Sequence, residues 1–156
     1  VEIRLGGKQD WPFVYALSKS VMADSVSPWR KQDLDQTVKY RDSMLRGFWR
    51  WIEQTGSKVL IAEENGQAVG YLILYLDSRE ELTGLLQGWV MDFAVLQEWR
   101  GRGIGKALLQ AAEDYCRGEG LGYLGLAVTS HNSRALKLYQ DFGFAEERKL
   151  MVKVLE

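Results

Sequence analysis

Between Lys58 and Asp77 the chain reads KVLIAEENGQAVGYLILYLD. Two apolar runs, Val59 to Ala62 and Ala68 to Leu76, flank Asn65-Gly66, the strongest short-range signal for a β-hairpin. An antiparallel pair is therefore expected near the middle of the chain. Asp77 to Gly88 follows as a polar connection with a short apolar patch at Leu82, Leu85 and Leu86. Trp89 to Leu96 reads as another strand, too apolar to have a wet face and so expected in the sheet interior.

The flanks alternate in type. Glu2 to Leu5 predicts a short edge strand closed by Gly6-Gly7. Asp10 precedes Trp11-Pro12, a helix start with a capping oxygen and a proline in the first turn, and the helix is expected to reach about Met22. Lys31 to Gln54 has near-helical spacing of Leu34, Val38, Leu45, Phe48 and Ile52, with Gly47 weakening one straight rod. After Leu96 comes a glycine-rich stretch and a helix striped by Ile104, Ala107, Leu108, Ala111, Ala112 and Tyr115. A strand over Tyr123 to Val128, a helix over Asn132 to Phe142 stopped at Gly143, and a last strand over Leu150 to Leu155 complete the order. No repeat or linker interrupts it, so residues 1–156 are expected to form one domain around a mixed α/β sheet.

The charge balance is even, with 20 basic and 21 acidic residues, which gives no general reason to expect nucleic acid or an anionic membrane as partner. No apolar run approaches the ~18 residues of a membrane span, and no signal peptide is visible. One cysteine, Cys116, rules out an internal disulfide and fits a reducing cytoplasm. With one histidine, His131, as well, a zinc site of the usual ligands is not expected, and no metal is.

The chemistry concentrates in RGRGIGKALL, from Arg100 to Leu109. A strand feeding a glycine-rich turn and then a helix offers free N–H groups at the positive end of the helix dipole. Glycines there clear the Cβ atoms that would hold phosphate oxygens off. Arg100, Arg102 and Lys106 add positive charge, so a pyrophosphate-bearing ligand is the expected guest. A dinucleotide fingerprint fails on spacing, because Gly101, Gly103 and Gly105 alternate and the next strand carries no acid. A P-loop fails because Gly105-Lys106 is followed by Ala107.

Arg100-Gly101-Arg102-Gly103-Ile104-Gly105 resembles the R/Q-x-x-G-x-G/A acetyl-CoA motif of the GNAT superfamily of N-acyltransferases. A second block, Asn132-Ser133-Arg134-Ala135-Leu136-Lys137-Leu138-Tyr139 followed by Gly143-Phe144, is similar to that family's N-x-x-A-x-x-L-Y…G-F signature. The resemblance covers the chain from about Lys58 onward. It implies a GNAT fold, a mixed, mostly antiparallel central sheet flanked by helices. It also implies an acetyl-CoA-dependent N-acetyltransferase, with acetyl-CoA as cosubstrate and a small-molecule or peptide amine as acceptor. Direct attack of the amine in a ternary complex is the expected route. A non-catalytic acyl-CoA-binding regulatory module is the competing reading.

By the same resemblance, backbone amides of Arg100, Gly101, Arg102, Gly103, Ile104, Gly105 and Lys106 hold the pyrophosphate. Phe93, Ala94 and Val95 offer main chain to pantetheine as in strand addition, and the amide near Val95 faces the developing oxyanion. Asn132 contacts pantetheine and Tyr139, on the same helix face, protonates the departing thiolate. Asp92 interrupts an apolar strand, where an unpaired carboxylate is costly. It either has a structural partner or faces the amine as contact or base. MDFAV resembles the E-D-F-F-V type of sequence of diamine and polyamine acetyltransferases, but Met91 removes the first acid. His131 reads as an incidental loop residue and Cys116 as packing; Trp29, Trp49 and Trp51 are candidates to line an acceptor cleft. The apolar last strand could pair across subunits, which would make a homodimer.

Overall fold

The computed structural model describes all residues, Val1–Glu156. The hairpin forms as its turn dictates. Strands β2 (Lys58–Glu64) and β3 (Gln67–Arg79) are joined at Asn65 and Gly66, whose φ values of 53° and 76° are those of a tight primed turn. Strand β1 (Glu2–Leu5) adds antiparallel to β2, and β4 (Leu86–Val95) adds antiparallel to β3. The β3–β4 connection is thus shorter than the sequence suggests, because both strands extend into Asp77 to Gly88. A two-residue strand, β5 (Leu124–Gly125), pairs parallel with Gly88 and Trp89, and the order is β1-β2-β3-β4-β5.

Helices cover both faces because the strands alternate. Leu60, Ala62, Leu72 and Leu74 point to one side, where they meet Ile104, Leu108, Leu109, Ala112 and Cys116 of α4 (Ile104–Gly118). Val59, Ile61, Tyr71 and Ile73 point to the other, against Val14 and Leu17 of α1 (Trp11–Val21) and Ile52. The expected Lys31-to-Gln54 rod is two helices, α2 (Leu34–Leu45) and α3 (Phe48–Thr55). They break at Gly47, whose φ of 75° belongs to the left-handed region that glycine tolerates. Helix α5 (Ser133–Phe142) packs beside α4 and ends at Gly143. No helix is long and apolar enough to cross a membrane.

Three expectations change. Asp10 precedes α1 but does not cap it. Its carboxylate turns back to accept from Arg4 at 2.7 and 2.9 Å and from the Gly7 N–H at 2.8 Å. That pairing with Arg4 holds its carboxyl below the usual range. The strand over Tyr123 to Val128 shrinks to two residues, because beyond Gly125 it pairs with nothing. The last strand, Leu150 to Leu155, does not form: residues 145–156 have no regular structure and make no backbone–backbone hydrogen bond.

Candidate active site

The site lies where β4 and β5 part. Their pairing is confined to Gly88↔Leu124 and Trp89↔Gly125, so most of β4 has no neighbour on that edge. On the opposite edge Leu96 N–H donates to the Val69 carbonyl at 2.8 Å. An antiparallel ladder alternates, so Ala94 spends its main-chain groups on β3 whereas Phe93 and Val95 turn theirs toward the open edge. Of the three residues expected to offer main chain there, Phe93 and Val95 fit and Ala94 does not. The Phe93 N–H itself is taken by Asp92 Oδ1 at 3.0 Å, which leaves its carbonyl.

Beyond β4 the chain makes a short turn, Gln97–Trp99, and enters the glycine stretch. Gly101 and Gly103 adopt φ of 76° and 81°, and a Cβ at either would meet nothing. They serve conformation, not clearance. Gly105 differs: its Cβ would sit 3.2 Å from Leu138 and 3.3 Å from Phe93, so it lets α4 pack close to α5 and β4. The result is a run of backbone N–H groups, Gly101 through Lys106, that donate to no backbone acceptor, whereas the Arg100 N–H, expected in the run, donates to the Gln97 carbonyl at 3.2 Å; the first intrahelical bond is Ala107 N–H to Gly103 C=O. Left-handed residues alternating with ordinary ones turn such groups to one side, the geometry of an anion nest at a helix start. These residues fit a pyrophosphate.

The cations frame this run unequally. Arg100 Nε donates to the Val95 carbonyl at 3.2 Å and so ties the loop to the end of β4. Burial, aided by Arg134, lowers its pKa. Arg102 lies over the Trp99 ring, 4.5 Å from its centroid, while Lys106 is exposed. Gly103→Ala, which forces a side chain into the left-handed region, should cost about 1 kcal/mol of stability. By re-aiming one N–H it should also weaken CoA binding about tenfold, measured by calorimetry.

Helix α5 supplies the other wall. Asn132 is its N-cap, the side-chain oxygen accepting from Ala135 N–H at 3.4 Å, which leaves its amide NH₂ free of that bond. Tyr139, two turns on, packs against Phe93 with ring centroids 6.2 Å apart and edge-on to Phe144 at 5.8 Å. Burial, and secondarily the charge of Asp92, push its phenol up to about 12. His131 is exposed in the preceding turn. Thr129, at the start of that turn, donates its hydroxyl to the Ser25 carbonyl, which ties the segment after α1 to the end of β5.

Asp92 owes its direction to an irregularity in β4. Ile73 pairs with Asp92 but Leu74 pairs with Val90, so Met91 is an extra residue. Val90 faces α4, and strict alternation would send Asp92 the same way. The bulge instead turns it to the α1 side, where Oδ2 accepts from Ser18 Oγ at 2.7 Å, Tyr71 Oη at 2.7 Å and Arg41 at 2.9 Å. The structure gives this carboxylate partners. Ser18, Arg41 and Tyr71 escaped notice in the sequence, although a serine on the apolar face of α1 and a tyrosine inside an apolar strand were the available signs.

The remaining candidates fall outside this constellation. Trp49 packs on Trp11, Trp51 on Phe48 and Tyr75, and Trp29 is exposed. Cys116 is buried against Gly88, its thiol pushed up to about 11 by burial, which suits packing and not nucleophilic attack. A surface hollow lined by Ile3, Leu60, Ala111 and Tyr115 lies between β1 and α4, at the edge of the sheet opposite β5. The helix-start nest and the open β4 edge mark the site better than that hollow does.

Residues 19–144 match the family model described as the acetyltransferase (GNAT) family. The chain belongs to that family. Among GNAT relatives it is similar to the uncharacterized N-acetyltransferase YhfO of Bacillus subtilis (strain 168), at 34% identity over 97 residues, which cover 62% of this chain and 64% of YhfO. The chain thus spans somewhat less than two thirds of that relative. It is 31% identical over 137 residues to the N-alpha-acetyltransferase of Sulfurisphaera tokodaii, covering 78% of this chain and 80% of the relative. The GNAT fold is shared with AAC(6')-Iy, solved in complex with the bisubstrate analog CoA-S-monomethyl-acetylneamine. The TM-score is 0.74 at 19% identity, with 99% of this chain and 97% of that chain covered.

Proposed function

We propose that this GNAT protein transfers an acetyl group from acetyl-CoA to a primary amine by direct attack within a ternary complex. The observation that carries the reading is the unpaired N–H run from Gly101 to Lys106 lying next to the open edge of β4. Together they offer a phosphate cradle and, one strand away, main-chain groups of Phe93 and Val95 for an extended amide-bearing arm. Acetyl-CoA supplies an activated thioester to such a site. The amide NH₂ of Asn132, which the N-cap bond does not use, would add a donor along that arm.

The residues divide the proton work. Val95 N–H faces the open edge and is placed to donate to oxygen as negative charge develops on it. Tyr139 holds its proton throughout the neutral range because burial disfavours the phenolate, and so remains able to give it to a departing thiolate. Asp92 Oδ2 is occupied by three donors. Its part is to hold α1, α2 and β3 together beneath the acceptor side and to supply a fixed negative charge there; the amine proton leaves through water. The N-alpha-acetyltransferase of S. tokodaii and the aminoglycoside-derived analog of AAC(6')-Iy both support an amine acceptor.

Thiol release from acetyl-CoA, followed across a panel of peptide α-amines, lysine, aminoglycosides and small alkylamines, tests this. At least one amine should raise release well above the amine-free rate. Binding of acetyl-CoA with no amine-dependent release from any of them would favour the non-catalytic module instead.

A further inference from the structure

Arg41 meets Asp92 by one nitrogen only. An arginine that serves solely to neutralise a carboxylate does so best as a fork, two N–H groups donating in parallel to its two oxygens. Arg41 instead uses Nη2 alone, on Asp92 Oδ2 at 2.9 Å and on Ser18 Oγ at 2.7 Å. Its Nε is buried without a partner, whereas Nη1 bonds to nothing in the chain and is not buried. The side chain as a whole is 35% exposed, so the guanidinium is fixed at one corner and open at another.

The other charges around it are already matched. Lys19 of α1 pairs with Asp42 at 3.1 Å, and Arg46 with the same carboxylate at 2.8 Å. Asp24, in the segment after α1, lies 4.0 Å from Arg134 of α5. Asp92 has three donors on Oδ2 and turns Oδ1 to the Phe93 N–H. No unmatched carboxylate is therefore left here for a second ammonium group, and the spare hydrogen-bonding capacity is cationic. The pair also lies near the reacting atoms. Asp92 precedes Phe93, whose ring packs on Tyr139, and its charge reaches the Tyr139 phenol.

On the acetyl-transfer reading above, we propose that the acceptor is an amine that also carries a carboxylate, and that Arg41 Nη1 holds the carboxylate. Asp92 and Arg41 stand side by side as one negative and one positive charge. That is the complement of an amino group and a carboxylate on one acceptor. A polyamine or an aminoglycoside brings ammonium groups alone and sets one of them against the guanidinium. The carboxylate has two sources of the same chemistry, a free amino acid or an acidic residue at a peptide N-terminus. Arg41 acts here in recognition and not in proton transfer, so its effect belongs mainly in KM.

Matched pairs of acceptors test this: L-α-amino acids against their carboxamides, and an N-terminal aspartyl tripeptide amide against its asparaginyl counterpart. Rates are referred to the concentration of neutral amine. Wild type should favour the carboxylate member by about tenfold or more in kcat/KM in one series, and that series identifies the source. Arg41→Lys leaves Asp92 a cation but has no second nitrogen to offer. Folded by circular dichroism and melting, it should bring the preference below about threefold. The wild-type ratios decide the matter even if the variant does not fold.

Calorimetric titration of the same compounds into the CoA-loaded protein reads the subsite without turnover. Binding that needs both the carboxylate and Arg41, with no acetyl transfer to any amine, would support the subsite and contradict the transfer reading. Carboxamides used as well as acids, a preference that survives Arg41→Lys in the folded protein, or faster turnover of polycations would overturn the carboxylate proposal and leave acetyl transfer standing. Absence of carboxylate-dependent binding would overturn it whatever the turnover.

Discussion

Tyr139→Phe should lower turnover by about a hundredfold or more while leaving acetyl-CoA affinity within about twofold of wild type. The ring makes the packing contacts, to Phe93 and Phe144, and phenylalanine keeps them. What disappears is one proton. The phenol is pushed up to about 12 by burial, so it stays protonated in any ordinary assay, and the same burial makes a thiolate formed beside it more basic, which offsets the phenol's weaker acidity. The loss should thus appear in kcat and kcat/KM together, without a change in calorimetric binding of CoA. The same raised pKa has a consequence for stability. Above pH 10 the unfolded chain ionises its tyrosines while Tyr139 and the buried Tyr71 stay protonated, so stability falls as pH rises from 10 toward 12. Equal losses of CoA binding and turnover in the variant would assign Tyr139 to the binding wall and not to proton transfer.

Asp92→Ala should be the most destabilising single change near the site, by about 3 kcal/mol in urea unfolding. It removes one oxygen that three donors share, from Ser18, Arg41 and Tyr71, and leaves a guanidinium whose Nε is already buried without a partner. The cluster is partly open to water, which places the figure at the lower end for a broken buried pair. In an Arg41→Ala background the same substitution should cost markedly less, because the unpaired cation has gone; that coupling is measured by the double-mutant cycle. Asp92→Asn should fall between, since an amide oxygen can still accept from Ser18 and Tyr71. Were Asp92 also the proton acceptor, Asp92→Asn would abolish turnover in addition to lowering stability.

Much of this architecture is legible in the sequence for local reasons. Asn65-Gly66 announces a turn that few other pairs can make, and Gly143 marks the end of α5 by the same left-handed requirement. The motif from Arg100 to Gly105 and the block from Asn132 to Tyr139 lie within single turns and helices, so their spacing survives folding. What stays hidden is non-local. The bulge at Met91 depends on how β4 registers against β3, and it alone decides which face Asp92 takes. Ser18, Arg41 and Tyr71 come from three elements and meet only at that carboxylate. The purpose of the glycines is a subtler case. Gly101, Gly103 and Gly105 look alike in sequence, yet two satisfy φ and the third admits a neighbouring helix. The tail shows the opposite limit: its alternation reads as a strand, yet residues 145–156 join no edge, although the outer side of β5 is open.

Initial rates over a matrix of acetyl-CoA and amine concentrations test the central claim most directly. Direct transfer in a ternary complex predicts double-reciprocal lines that intersect, with no acetylated protein when acetyl-CoA is supplied alone. Parallel lines, with an acetyl group recovered on the chain before amine is added, would contradict it.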